Sequence, residues 1–579
     1  MPAAKNRYAV GIDVGGTFTD LVLADLGQGH LHRFKTLTTP SEPHRGILTG
    51  LDALTEQVGI KLADLGYIVH ATTLVTNAII ERKGAPTGLL TTSGMADVLE
   101  IGREYRYDLY DLYLDKPAPL VPRHLRLEVT ERIRANGEVL DALDMSTVDA
   151  AAKAYRAEGV STIAVCLINS YRNPAHELAI KAHLAANYPE FDVSISSEVS
   201  REAGEFERSS TTVANAYVRP LVRAYLGRLQ DELAERGYHG EIEIMLSDGG
   251  VCSIKTASQL PVRLIESGPA AGVRAAIFMA EQLDLKQVVS FDVGGTTAKI
   301  SFVDDGQPAM STWFEAARVD RARQGSGLPL QIPTVELLEI GAGGGSIAST
   351  DRLGLLKVGP ESTGADPGPA SYGRGGTEPT ITDANLLLGS LSPAVFGFGA
   401  LSLDMNAARA AMARLAKSLG TDETATPAGV FNLVNGHMVN ATRLYSAERG
   451  RDLGGYTIVA YGGGGPVHAY ELARILGVKR IVYPWGAGTL SAFGLLMSPR
   501  SMSVSRSWPV LLADLAAAEA RKIISELEDE CFANLSTTGT TRSDCTPRAS
   551  VTMRYAGQAH ELQVALDATA IEAWSEAPV

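Results

Sequence analysis

Two stretches of this chain carry the residue types needed to handle an anion beside a metal ion. One reads Gly11-Ile12-Asp13-Val14-Gly15-Gly16-Thr17-Phe18-Thr19-Asp20, the other Ser290-Phe291-Asp292-Val293-Gly294-Gly295-Thr296-Thr297-Ala298-Lys299. Paired glycines present backbone N–H groups with no Cβ in the way and tolerate φ > 0, so Gly15-Gly16 and Gly294-Gly295 can approach a phosphate closely. Thr17, Thr19, Thr296 and Thr297 add hydroxyl donors. Asp13 and Asp292 accept but cannot donate when ionised, so a carboxylate there implies a cation, Mg²⁺ with its waters, between it and the phosphate. Gly-Gly is also a common way to turn a hairpin, and one such motif alone is weak. Two Asp-Val-Gly-Gly-Thr pentamers in one chain point instead to internal duplication. The reading is a nucleotide phosphate clamp between two related halves.

Each copy follows one apolar run (Tyr8 to Ile12; Val288 to Phe291) and precedes another (Leu21 to Leu23; Ile300 to Val303). That pattern predicts a strand, a glycine turn and a returning strand, with the turn exposed. A third glycine turn, Gly462-Gly463-Gly464-Gly465-Pro466, lies between a strand (Thr457 to Ala460) and a helix carrying Leu472, Ile475 and Leu476. It lacks the lysine of a P-loop, and a glycine turn between strand and helix can equally seat the flat face of a nucleoside.

Further groups sit where open α/β sheets bind ligands. Thr72, Thr73 and Asn77 follow the strand Tyr67 to Val69 and open a helix; they read either as a ligand loop or as helix capping. Arg103 begins a tyrosine- and arginine-rich stretch to Tyr110, which fits a binding surface or a loop packing its own rings. Glu266 precedes Ser267-Gly268-Pro269-Ala270-Ala271-Gly272, the start of a helix. It reads as a cap, or in a cleft as a general base.

These groups need a large scaffold. At 579 residues the chain should hold three or four domains, and 45% hydrophobic with 20% charged residues is ordinary for a globular enzyme. A net charge of −14 argues against an electrostatic nucleic-acid binder. No apolar run approaches bilayer length and Met1 to Arg7 does not resemble a signal peptide, so a cytoplasmic protein is expected. Cys166, Cys252, Cys531 and Cys545 lack CxxC spacing and suggest neither a disulfide framework nor a zinc site. Helices are predicted from Pro43, over Thr147 to Glu158, and from Ser209 with an interruption at Pro220; Arg126 to Val139, containing Asn136-Gly137, predicts a hairpin. The glycine-dense segments Gly341 to Ser346 and Val358 to Pro369 are too poor in side chains to pack a core and read as shaped loops. Leu512 to Ala533 reads as a solvated helix, and Val551 to Gln558 as the start of a new strand set.

With these motifs in place, the chain resembles the hydantoinase A / 5-oxoprolinase family of the actin–Hsp70–sugar-kinase superfamily. The markers are Gly11 to Asp20, Thr72 to Gly84, Ser247 to Gly250, Glu266 to Gly272, Asp292 to Thr297, Gly341 to Ala348, Gly364 to Gly373 and Tyr461 to Pro466. The resemblance implies an α/β fold: a duplicated actin/Hsp70/sugar-kinase-like ATPase whose halves flank ATP and Mg²⁺. Residues 1–190 would form an N-terminal domain with the first phosphate loop. Residues 191–500 would form the ATPase core with the second loop and the adenosine turn, and 501–579 a helix and the start of a truncated β-rich domain. Asp13, Asp292 and Glu266 would be catalytic, with Asp13 and Asp292 at Mg²⁺; Thr72, Thr73, Asn77 and Arg103 would meet the substrate. The implied reaction is ATP-dependent phosphorylation of the carbonyl oxygen of a cyclic amide (hydantoin, 5-oxoproline or lactam), with a hydantoinase B-like partner. A ketone carboxylase subunit or a nucleotide-driven conformational ATPase is the alternative. Leu338 and Ser371 stand where many relatives carry histidine and cysteine, so roles tied to those side chains are not expected here.

Overall fold

A computed structural model of the chain describes residues 7–39, 42–104, 106–320, 323–394, 396–399, 401–558 and 561–566. Tyr105 of the tyrosine-rich stretch, the start of the chain at 1–6 and its end at 567–579 lie outside the described residues. The chain forms two compact units. The first comprises Met1–Ala85, Arg103–Leu120 and Tyr217–Pro499; the second comprises Pro86–Gly102, Val121–Ala216 and Arg500–Val579.

The first unit is built twice on one plan. In its first sheet Tyr8–Val14 pairs antiparallel with Phe18–Asp25, which pairs antiparallel with His30–Leu37. On its other side Tyr8–Val14 runs parallel to Leu65–Thr72, then comes Glu241–Met245, with Val251–Ser253 at the edge. In the second sheet Gln287–Val293 pairs antiparallel with Ala298–Asp304, which pairs with Gln307–Pro308. The parallel neighbours are Thr457–Tyr461 and then Arg480–Val482. Leu338–Ile340 also pairs antiparallel with Ala298–Asp304. Leaving it and the edge strand Val251–Ser253 aside, the remaining five strands of each six-stranded sheet, numbered in chain order, read 3-2-1-4-5. The central strands are buried on both faces, which is why they read as unbroken apolar runs rather than as an alternation.

A short helix, Leu490–Leu496, ties the two halves together. A Cβ added to Gly11 of the first strand would run into the carbonyl of Ala492, and one on Gly494 would run into the carbonyl of Ala271 in the Ser267–Gln282 helix. Both glycines therefore serve close backbone packing, the role for which glycine is best suited.

The second unit holds a parallel sheet in the order Asp192–Ile195, Thr162–Cys166, Thr87–Thr92, Arg126–Val129, with helices Met145–Ala157 and Ala175–Asn187. Arg126–Val129 is an edge strand of that sheet, and the expected hairpin shrinks to Arg132–Ile133 with Val139–Asp141. Helix Ala517–Leu535 buries only Ala520 completely, and Ala549–Met553 pairs with Leu562–Leu566. The helix expected to break at Pro220 runs unbroken over Glu205–Glu235. Proline removes one helical hydrogen bond, but Val222, Tyr225, Leu226, Leu229 and Leu233 are all buried just beyond it and hold the line of the helix. The four cysteines are free; Cys166 and Cys252 are buried, and burial pushes the Cys166 thiol up to about 11.

Candidate functional site

The two glycine turns close identically. Gly15 N–H donates to Phe18 O at 3.0 Å and Gly294 N–H to Thr297 O at 3.0 Å. None of the four glycines has a positive φ, so left-handed backbone is not what they supply. Their contribution is the missing side chain: a Cβ on Gly16 would meet nothing within 4 Å, and one on Gly295 would lie 3.1 Å from Thr17 Oγ1. The tips of the two loops thus touch each other, across the gap between the halves, with an open edge at Gly16.

Each loop is braced from behind. Thr38 Oγ1 donates to Gly15 O at 2.9 Å, its N–H donates to Thr17 O at 3.0 Å, and Thr73 N–H reaches Val14 O at 3.3 Å. Thr19 is fully buried and faces Thr38 Oγ1 at 3.1 Å, so it supports the first loop from inside while Thr17 stands at the tip. The second loop rests on the Gly341–Ser346 glycines. Gly344 N–H donates to Gly294 O at 3.0 Å and Gly345 N–H to Gly295 O at 2.7 Å. A Cβ on Gly343 would lie 2.6 Å from the amide nitrogens of Thr296 and Thr297. This glycine density is backbone stacked on backbone.

Charge is arranged by strand register. Across the first hairpin Asp13 faces Asp20, and Asp20 faces Lys35 on the next strand, with which it forms an ion pair. Across the second, Asp292 faces Lys299, and Lys299 faces Glu339. The carboxylates are largely removed from water. Burial, then the neighbouring charges of Asp20 and Asp292, raise Asp13 to about 7. Burial raises Asp292 to about 6, against the opposing pull of Lys299. Burial also raises Asp20, against Lys35. Burial pushes Lys299 down, but the carboxylates of Glu266, Glu339 and Asp292 more than reverse it.

Glu266 is not a cap. It precedes the Ser267–Gln282 helix in a left-handed conformation (φ 58°), makes no side-chain bond to the helix amides, and pairs with Lys299. Two residues on, Gly268 is so close to Asp13 that a Cβ there would lie 2.8 Å from its Oδ1. Asp13, Asp292, Glu266 and both loops are therefore one cluster.

The third glycine turn joins it. Gly464 N–H donates to Val293 O at 2.8 Å, and Gly462 (φ 79°) has no room for a Cβ beside the Asp292 carboxylate. Gly463 is exposed, with open space where a Cβ would be. Gly465 and Pro466 begin the Gly465–Leu476 helix. Of the remaining candidates, Thr72 is buried, and its Oγ1 accepts from Leu74 N–H at 3.1 Å, a local turn contact. Thr73 and Asn77 bond each other at 3.3 Å beside the first loop, while Arg103 is exposed at the start of the Arg103–Leu120 segment. Lys35 and Lys299 were not singled out from sequence as functional. The signal for Lys299 was there, since it occupies the place in its repeat that Asp20 occupies in the other.

Repeated sheets, each opened by an Asp-Val-Gly-Gly-Thr hairpin, define a duplicated α/β fold with its candidate site where the two hairpins meet. The chain belongs to the hydantoinase/oxoprolinase family: the family model matches residues 208–501, and that of its N-terminal region matches residues 9–187. It is 38% identical over 563 residues to an uncharacterized protein of Methanocaldococcus jannaschii, covering 96% of this chain and 82% of that one. It is 34% identical over 575 residues to caprolactamase subunit alpha of Pseudomonas jessenii, covering 97% and 81%. The crystal structure of the ATP-dependent caprolactamase from that organism superposes with a TM-score of 0.83 over 98% of this chain and 83% of the other, at 33% identity. Nucleotide-free acetone carboxylase superposes with a TM-score of 0.77 over 96% and 80%, at 27% identity.

Proposed function

We propose that this chain is a subunit of an ATP-dependent enzyme that opens a cyclic amide such as a lactam, hydantoin or 5-oxoproline. The observation that carries the reading is the meeting of the two loops at Thr17 and Gly295 with Asp13 and Asp292 behind them, in a fold shared with an ATP-dependent caprolactamase. ATP bound there would supply the phosphoryl group that, placed on the amide oxygen, makes the carbonyl carbon electrophilic enough for water to add. The ring C–N bond can then break, and phosphate is released as the acyl phosphate is hydrolysed.

The residues present suit a Mg²⁺–nucleotide. Asp13 and Asp292 are desolvated carboxylates, and Asp13 is further raised by the Asp292 charge, an imbalance that a divalent cation would relieve. Mg²⁺ characteristically takes one or two carboxylates and keeps waters and phosphate oxygens for the rest. Gly15, Gly16, Thr17, Gly294, Gly295, Thr296 and Thr297 would line the phosphates, and the Gly462 to Pro466 turn beside Asp292 would seat the nucleoside. Thr73 and Asn77, next to the first loop, are the best-placed substrate groups. These residues position and neutralise charge, which is most of what phosphoryl transfer requires.

A hydantoinase B-like partner would complete the hydrolysis; the similar caprolactamase chain is itself named a subunit. Among the described residues no helix is long and apolar enough to cross a membrane. Likeness to acetone carboxylase supports a second reading, carboxylation of a ketone. ATP turnover with caprolactam, hydantoin, 5-oxoproline, and ketone plus bicarbonate separates the two. Stimulation by a cyclic amide is expected, and stimulation only by ketone with bicarbonate overturns the amide reading.

A further inference from the structure

We infer that Lys299 is the cation that the second loop delivers to the terminal phosphate of the nucleotide, and that Glu266 holds it in reserve until the phosphate arrives. The inference rests on the nucleotide reading above.

The duplicated hairpins supply the argument. They share turn closure and cross-strand register, so position for position they should present the same groups. They differ at one telling place: opposite the aspartate, the first carries Asp20 and the second Lys299. The first loop's ammonium, Lys35, stands a strand further out and is engaged by Asp20. Lys299 stands directly beside Asp292, at the site itself, with little of its side chain exposed.

The groups facing Lys299 are Glu266 from the helix start, Glu339 from the adjoining strand, Asp292 across the hairpin and, in electrostatic range, Asp13. Glu266 is the ion-pair partner. Its left-handed backbone is costly for a non-glycine residue and turns the carboxylate away from the helix amides it would ordinarily cap. A strained residue aimed at a single partner suits a holding contact better than a helix stop. A phosphate is a stronger acceptor for an ammonium than one carboxylate, because several charged oxygens share the contact. Lys299 can exchange Glu266 for phosphate by moving its flexible end alone, with no rearrangement of the hairpin.

The test uses the full chain and Lys299→Met, Lys299→Arg and Glu266→Gln. Calorimetric titration with Mg²⁺ and ATP, ADP or AMP reads binding without turnover. Acylation of Lys299 by an amine-reactive ester, followed by mass spectrometry, reads the nucleotide-free state. Lys299→Met should lose on the order of tenfold in affinity for ATP while AMP binding is unchanged, and Lys299→Arg should recover most of it. Glu266→Gln should make Lys299 more readily acylated without nucleotide and should tighten ATP binding, and ATP should protect Lys299 from acylation. Equal ATP affinity in Lys299→Met and the native chain overturns the inference, as does weakened ATP binding in Glu266→Gln. If the native chain takes up neither ATP nor ADP, the nucleotide reading itself falls; if it binds them and Lys299→Met is unaffected, only the role of Lys299 falls.

Discussion

Lys299 lies directly across the second hairpin from Asp292, at the place where the first hairpin sets Asp20 against Asp13. The two copies thus share a backbone but not a charge. Two carboxylates face each other in one half, and a carboxylate faces an ammonium in the other. Duplication brings the loops together, and divergence at this position makes the pair directional, so that a phosphate chain bound between them would meet unlike surroundings on its two sides.

Replacing Asp13 or Asp292 with Asn should lower kcat by on the order of a hundredfold or more, by removing a carboxylate that in the proposed reading would hold the metal beside the developing charge. The same change should stabilise the nucleotide-free protein at neutral pH by about 1–3 kcal/mol, because a buried carboxylate with a raised pKa is costly to keep ionised. Steady-state kinetics with denaturant unfolding of the same variants checks both. Loss of activity with loss of stability would contradict this assignment.

The pH dependence has a definite sign. Asp13 near 7 and Asp292 near 6 hold protons in the native state that the unfolded chain, near 3.8, has released, so their contribution falls as pH rises through that range. His70 and His468 behave oppositely. Burial lowers both to about 4, while the unfolded value is 6.5, so stability rises with pH over that interval. The two effects oppose each other between about 4 and 6.5, and above that Asp13 alone still titrates. Removing both carboxylates should turn a shallow profile into a rising one. Affinity for Mg²⁺–nucleotide should weaken as pH falls through 7 and then 6, since protons compete for the same oxygens. Unfolding midpoints and binding titrations across this range test it.

Two glycine substitutions should separate packing from binding. Gly343→Ala places a methyl group against the Thr296 and Thr297 amides and should cost about 1–3 kcal/mol of stability, as overpacking does. Gly16→Ala meets open space, so stability should change by less than about 0.5 kcal/mol while nucleotide affinity falls. Normal nucleotide affinity in Gly16→Ala would place the ligand elsewhere.

Thr38→Val keeps shape but removes the hydroxyl that supports Gly15 and faces Thr19. A loss of about 1 kcal/mol is expected, with KM for ATP raised more than kcat is lowered. An unchanged KM would mean the first loop needs no brace.

The two glycine hairpins and the first helix start were legible because each is written locally: apolar runs around Gly-Gly, and Pro43 at a helix start. The continuity of the helix through Pro220 was not, because buried residues beyond the proline overrode its local preference. Of the two readings open for Glu266, cap or general base, the structure removes the first, for a similar reason. Its position before a helix suggests a cap, while its actual partner, Lys299, is brought near only by strand register. The Gly343–Gly345 contacts with the second loop depend on the same long-range alignment and leave no local trace beyond glycine density.

The Leu490–Leu496 helix, pressed backbone to backbone against Gly11 on one side and Ala271 on the other, is the spine of a book. There is no room for a side chain at Gly11 or at Gly494, so a methyl group at either position would force backbone apart along the seam behind the two loops.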